Sequence, residues 1–145
     1  MASPIPRRQF LAFVPTAFLT VAWGAIPRPR CLHFALRQPG PEPHPKPRPG
    51  IDASKVLTAD ELRDFPDVID AYDGVRQIPH IVDGIRCHCG CAELPQYYSL
   101  LTCYEEGGMA RFCEICQGQG RLAFRLSRRG WSLDRIREAI DVRFG

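Results

Sequence analysis

Six of the seven cysteines of this 145-residue chain fall between Cys87 and Cys116. Cys87-His88-Cys89-Gly90-Cys91 sets three thiols at alternate positions, Cys103 follows, and Cys113-Glu114-Ile115-Cys116 adds a pair three residues apart. Alternate side chains of an extended strand share a face. In a turn, Gly90 permits positive φ, so the chain can wrap the three sulfurs around a point. On a helix, residues at i and i+3 share a face, so Cys113 and Cys116 can converge on one partner. A pair near a helix start also gains from the positive end of the dipole, which favours thiolates. This spacing predicts a site built from Cys87, Cys89, Cys91, Cys103, Cys113 and Cys116.

Three chemistries compete for it. Soft thiolates suit Cu(I), zinc or, ranking below them, an iron–sulfur cluster. Zinc takes four ligands in a tetrahedron, whereas Cu(I) accepts two or three thiolates and several ions can share bridging sulfurs. Alternatively, the six cysteines form three disulfides, for which fifteen connectivities exist. Cys87, Cys89 and Cys91 are too close in sequence to cross-link easily with one another, so they would need Cys103, Cys113 and Cys116 as separate partners. The third reading mixes one disulfide with a four-sulfur site. The metal site is favoured. His88 and Met109 are further candidate ligands. His88, in a strand, would face away from its flanking cysteines, and Met109 also suits a core or helix-start contact. His44 and His80 read as surface residues.

Arg86-Cys87-His88-Cys89-Gly90-Cys91, Ser99-Leu100-Leu101-Thr102-Cys103-Tyr104, Cys113-Glu114-Ile115-Cys116 and Ile136-Arg137-Glu138-Ala139-Ile140-Asp141 together resemble the PCYCGC-motif family of bacterial exported proteins and lipoproteins. The resemblance covers residues 58–145. It implies an extracytoplasmic cysteine-rich domain that binds a metal, and it carries over no assigned activity. Arg86 stands where the motif has Pro, and His88 where it has Tyr. Met109 and Tyr97 fall near positions where members carry His. Absence of those histidines argues against a Cys/His zinc site, and a Met and a His beside thiols suit Cu(I).

The elements that must position these residues read as helical. Thr58-Ala59-Asp60-Glu61 has the pattern of a capping box, predicting a short helix that stops near Pro66. Val68, Ile69 and Tyr72 predict a second, ending at Gly74. Ile78, Ile81, Val82 and Ile85 supply an apolar face up to the first cysteine. Tyr97, Leu100, Leu101 and Tyr104 have helical spacing up to Gly107-Gly108. A longer helix is expected from Ala110 to Arg129, with Gly130 as its C′ residue. Ser132 then caps a last helix with Leu133, Ile136, Ile140 and Phe144 as its buried stripe. Nothing alternates with period two for long enough to demand a sheet. The expected fold is mostly α, a small cysteine-rich helical domain over residues 51–145, with a core thin enough to need a staple.

Residues 1–26 read as an export signal. Arg7-Arg8 precedes an apolar run from Phe10 to Ile26, the basic-then-apolar order of a signal peptide, and the arginine pair before Phe10-Leu11 resembles the twin-arginine type. Ala22-Trp23-Gly24 offers a cleavage site, and an uncleaved anchor is the alternative. The expected location is the periplasm or cell envelope. Cys31 lacks the upstream pattern of a lipid-anchored cysteine. Residues 27–50 form a Pro-rich stretch, with proline at every second position from Pro39 to Pro49, expected to be an extended spacer.

Residues 1–50 carry seven Lys and Arg against one acidic residue, and residues 51–145 carry twelve against fifteen. The excess positive charge therefore belongs to the leader and the proline tract rather than to a folded face, which excludes a nucleic-acid partner. Arg121, Arg125, Arg128 and Arg129 form a basic helix face, read as solvated, with docking to a membrane or metalloenzyme partner as the alternative. No triad, phosphate loop or dinucleotide glycine pattern supports a conventional hydrolase or dehydrogenase. The expected function is soft-metal handling outside the cytoplasm. The alternatives are a disulfide-stapled interaction module and a thiol–disulfide oxidoreductase using Cys113 and Cys116, against which no thioredoxin-like strand–helix alternation surrounds the pair.

Overall fold

The computed structural model describes residues 43–145; the signal-like segment and Cys31 lie outside the described residues. Among the described residues four helices carry the domain: α1 (Ile69–Gln77), α2 (Pro79–Val82), α3 (Glu114–Ser127) and α4 (Leu133–Phe144), with 3-10 turns at Pro66–Val68, Cys91–Glu93 and Leu101–Tyr104. The fold is mostly α, as the aperiodic strand pattern requires; among the described residues, extended pairing is limited to an isolated bridge between Val56 and Glu105. No helix among them is long and apolar enough to cross a membrane.

Helix α1 packs against α3, and α3 against α4. Small residues set the first contact. A Cβ on Gly74 would lie 3.1 Å from the Phe124 ring, and one on Gly120 would lie 2.9 Å from Val75 and press on the Tyr104 hydroxyl. The backbones therefore approach more closely than larger side chains would allow. Tyr72 and Tyr104 fill the junction edge to face, with ring centroids 4.7 Å apart. Leu62, Val75, Ile85, Leu100, Leu101, Ile136 and Ile140 complete the core. Arg121 spans α3 and α1 by bonding Asp70 Oδ1 at 2.7 Å, so this arginine of the basic face is an inter-helix tie rather than a free solvated charge.

Several boundaries differ from expectation. Thr58 and Glu61 do form the reciprocal bonds of a capping box, yet only turns follow, because Pro66 leaves too little chain for a stable helix. Helix α1 runs through Gly74 to Gln77, since packing against Phe124 favours a small residue there. The Tyr97–Tyr104 segment yields only the 3-10 turn at its end. Helix α3 starts at Glu114 rather than Ala110 because Cys113 is extended, at φ −117° and ψ 106°. Beyond its C-terminus Gly130 takes φ +77°, the left-handed conformation expected there.

Where composition suggests a spacer, residues 43–50 lie bonded to the domain. The Tyr98 hydroxyl donates to Lys46 O at 2.6 Å and Arg137 Nη2 to Pro45 O at 2.8 Å. Proline carbonyls without partners in the tract are ready acceptors for such donors. The anchor is Asp83, whose side chain is fully buried. It accepts from Arg48 N at 2.8 Å, from Arg48 Nη2 at 2.7 Å and from Ser99 Oγ at 2.7 Å. Burial opposes its charge, but the Arg48 and Ser99 donors outweigh that and hold the carboxyl below the usual carboxylate range. A depressed folded-state pKa stabilises the fold above the ordinary carboxylate range, and that stability is lost as pH falls through the folded value. Asp83→Ala is expected to cost about 2 kcal/mol at neutral pH, because Arg48 is half-exposed and regains water. Urea melts at neutral and acid pH check this: the difference between variant and parent should shrink towards acid pH.

Candidate metal centre

The cysteines reach one place by three local devices. The first is the turn at Gly90, which adopts φ +89°. A left-handed residue there reverses the chain, so Cys89 and Cys91 meet instead of diverging. Leu100 N donates to Ile85 O at 2.7 Å, holding the start of this loop against the segment that leads to Cys103. The second is the 3-10 turn Leu101–Tyr104, closed by Ala110 N donating to Cys103 O at 2.9 Å. Gly108 permits that closure, since a Cβ there would run into the Cys103 carbonyl. The third is the first turn of α3, where Cys113 is the N-cap residue and Cys116 lies three positions on. Tyr104 Oη donates to Cys116 O at 2.7 Å, joining the second device to the third.

All six predicted cysteines are buried, and no disulfide forms among the described residues. Cys87, Cys91, Cys103 and Cys116 form one group with sulfurs within 4.8 Å of one another, and Cys89, Cys113 and Cys116 form another. Cys87 Sγ lies 3.2 Å from Cys89 Sγ and 3.5 Å from Cys116 Sγ. Cys89 Sγ is 2.9 Å from Cys91 Sγ and 3.4 Å from Cys116 Sγ. These separations far exceed the roughly 2.05 Å of a disulfide. The thiols share protons. Cys103 is pulled well below the ordinary thiol range, chiefly by hydrogen bonding from Cys116. Cys89 is pulled down by Cys113, then by Cys116 and Cys87. Cys116 is pushed up, chiefly by Cys103, and Cys87 likewise, with Cys103 again the largest cause. Some sulfurs thus ionise easily because others keep their protons. A soft cation can take the place of those protons, and the groups have the donor chemistry and spacing to hold a metal ion.

The two further candidates lie differently. Met109 is exposed, unlike the sulfurs. His88 joins His44 and Asp141 in a separate group with ligand atoms within 4.8 Å of one another. Its Nε2 comes within 2.9 Å of Asp141 Oδ1, though without hydrogen-bond geometry, and His44 Nε2 lies 3.1 Å from Asp141 Oδ2. Arg86 N donates to His44 Nδ1 at 3.0 Å, which places the proton of that ring on Nε2, the atom facing Asp141. The trio is therefore a polar clasp. It ties the proline tract, the Cys87–Cys89 loop and α4 together. His44, expected at the surface, is largely buried in it. Burial pushes the His88 imidazole below its ordinary range, with Asp141 opposing.

Sequence reasoning found the six sulfurs and missed the clasp, Tyr104 as a brace and Gln119, a fully buried residue of α3 whose Oε1 accepts from His88 N at 3.4 Å. No local pattern marks these residues; only the tertiary contact does. Asp141→Ala is expected to lower stability by about 1–2 kcal/mol through loss of the clasp, and the loss in the double variant with His44→Ala should fall short of the sum of the two single losses, the remainder being the Arg86 N bond to His44. Thermal melts of the two single variants and the double variant measure that coupling.

Comparison with protein-family models, with curated proteins and with solved structures finds no match for the chain. The assignment of chemistry rests on the residues themselves: a helical domain whose cysteine groups have the geometry to hold a soft metal ion.

Proposed function

We propose that the chain is an exported metal-handling protein that holds Cu(I), or failing that zinc, through its buried cysteines. The observation that carries this reading is the convergence of six buried cysteines, with no disulfide among the described residues, in two groups that share Cys116. An all-sulfur donor set favours the softest available ion, and Cu(I) also accepts the low coordination numbers that a crowded group offers. Burial restricts access of water and oxidant to the bound ion. The resemblance to exported PCYCGC-motif proteins and the Arg7-Arg8 leader support a role in the periplasm or cell envelope. Thiol–disulfide exchange is the weaker reading: Cys113 and Cys116 are 1% and 0% exposed, and attack on a substrate disulfide needs an accessible thiolate.

Reduced, metal-free protein is expected to take up Cu(I) with a sulfur-to-copper charge-transfer band. Metal at a hundredfold excess over Kd should add about 3 kcal/mol of stability. Changing Cys87, Cys91 and Cys116 together to Ser should abolish stoichiometric uptake. Protein that binds neither Cu(I) nor zinc, and melts identically with and without them, would contradict the proposal.

The export component has its own test. Arg7→Lys with Arg8→Lys should leave precursor inside the cell, seen by fractionation. Normal export of that variant would remove the twin-arginine route while leaving metal binding untouched.

A further inference from the structure

We infer that the six sulfurs form a centre of at least two ions bridged by the Cys116 thiolate. This rests on the thiolate–metal reading above and adds to it the number of ions and the role of each cysteine. One ion would lie among Cys87, Cys91, Cys103 and Cys116, the other among Cys89, Cys113 and Cys116.

The argument is one of coordination geometry. Around a single four-coordinate ion with sulfurs at about 2.3 Å, each sulfur has three neighbours at roughly 3.8 Å. Cys116 belongs to both cysteine groups, so all five other sulfurs lie within 4.8 Å of it. One tetrahedron cannot place five sulfurs around a vertex; two coordination polyhedra that share the vertex can. A thiolate has the lone pairs to serve two soft ions at once, and Cys116 is the sulfur common to the four-sulfur and three-sulfur groups; Cys89 also lies 3.2 Å from Cys87 and 2.9 Å from Cys91, so the two positions adjoin along that edge as well.

Charge and position point the same way. A single ion bound by four thiolates would leave two further thiols buried beside it without a metal, whereas a second cation engages them and offsets the buried negative charge. Cys116 is also placed to carry charge once metal ions have displaced its proton. It sits in the first turn of α3, where backbone N–H groups lack helical partners and the dipole is positive. Tyr104 fixes that turn by bonding the Cys116 carbonyl, so the bridging sulfur is on a braced segment. Coordination exchanges thiol protons for metal ions; no electron is transferred.

The test uses the full chain, reduced and metal-free under anaerobic conditions, titrated with Cu(I) against a chromogenic chelator. Native mass spectrometry counts the ions, and X-ray absorption reads whether a metal–metal scattering shell is present. Two or more Cu(I) per chain with such a shell is the expected result. Cys89→Ser with Cys113→Ser removes the three-sulfur position and leaves the four-sulfur group intact. That variant should bind fewer Cu(I), keep at least one, and lose the shell. Saturation of the parent protein at one ion per chain overturns the bridged centre and leaves the thiolate-site reading standing. Retention of the parent stoichiometry and shell by the double variant also overturns it. No uptake at all overturns both. Should the double variant fail to fold, the stoichiometry and scattering shell of the parent decide the matter.

Discussion

Six buried thiols gathered in two groups that share Cys116 cannot all carry charge, and this electrostatic constraint shapes the rest of the domain. Each sulfur that ionises does so because a neighbour donates to it, so protonation is a property of the group. Such a group is tolerable only where backbone dipoles and rigid packing hold it. The first turn of α3 supplies the dipole. The close approach of α1 and α3 at Gly74 and Gly120 supplies the rigidity, and the Tyr104 bond to the Cys116 carbonyl transmits it to the cysteine turn. A larger residue at Gly120 would push on Tyr104 and, through it, on the turn that carries Cys116.

The polar residues around the centre hold surfaces together that the apolar core does not reach. Asp83 draws in Arg48, and Asp141 draws in His44 and His88. Both carboxylates secure the proline tract. The result is a cover on one side of the domain, fixed at two points by charge-assisted contacts. Its positive residues, counted in sequence as part of a basic N-terminal half, are partly spent on these internal pairs.

The helical class and the six clustered cysteines were legible because each depends on short-range pattern. Ile136 and Ile140 show their buried face by spacing alone, and Gly130 announces the end of α3. The capping box at Thr58 and Glu61 misled, because a local signal that favours helix initiation cannot supply the length that propagation needs. The helix expected from Ala110 took in Cys113, but the turn that brings Ala110 to Cys103 keeps it extended. His44 and Asp141 were illegible for a different reason. Their meaning arises only when segments far apart in sequence meet, and neither residue type nor spacing records that meeting.

The same separation has a consequence for how the domain assembles. Cys87 and Cys116 are 29 positions apart, whereas His44 and Asp141 are 97 apart. Closing a short loop costs less chain entropy than closing a long one, and contacts of low sequence separation form sooner. Loop closure alone would thus let the sulfur centre gather while the proline tract and α4 are still undocked, with the clasp closing over the Cys87–Cys89 loop afterwards. Assembly in that order would leave the thiols open to an incoming ion until the two ends of the domain dock.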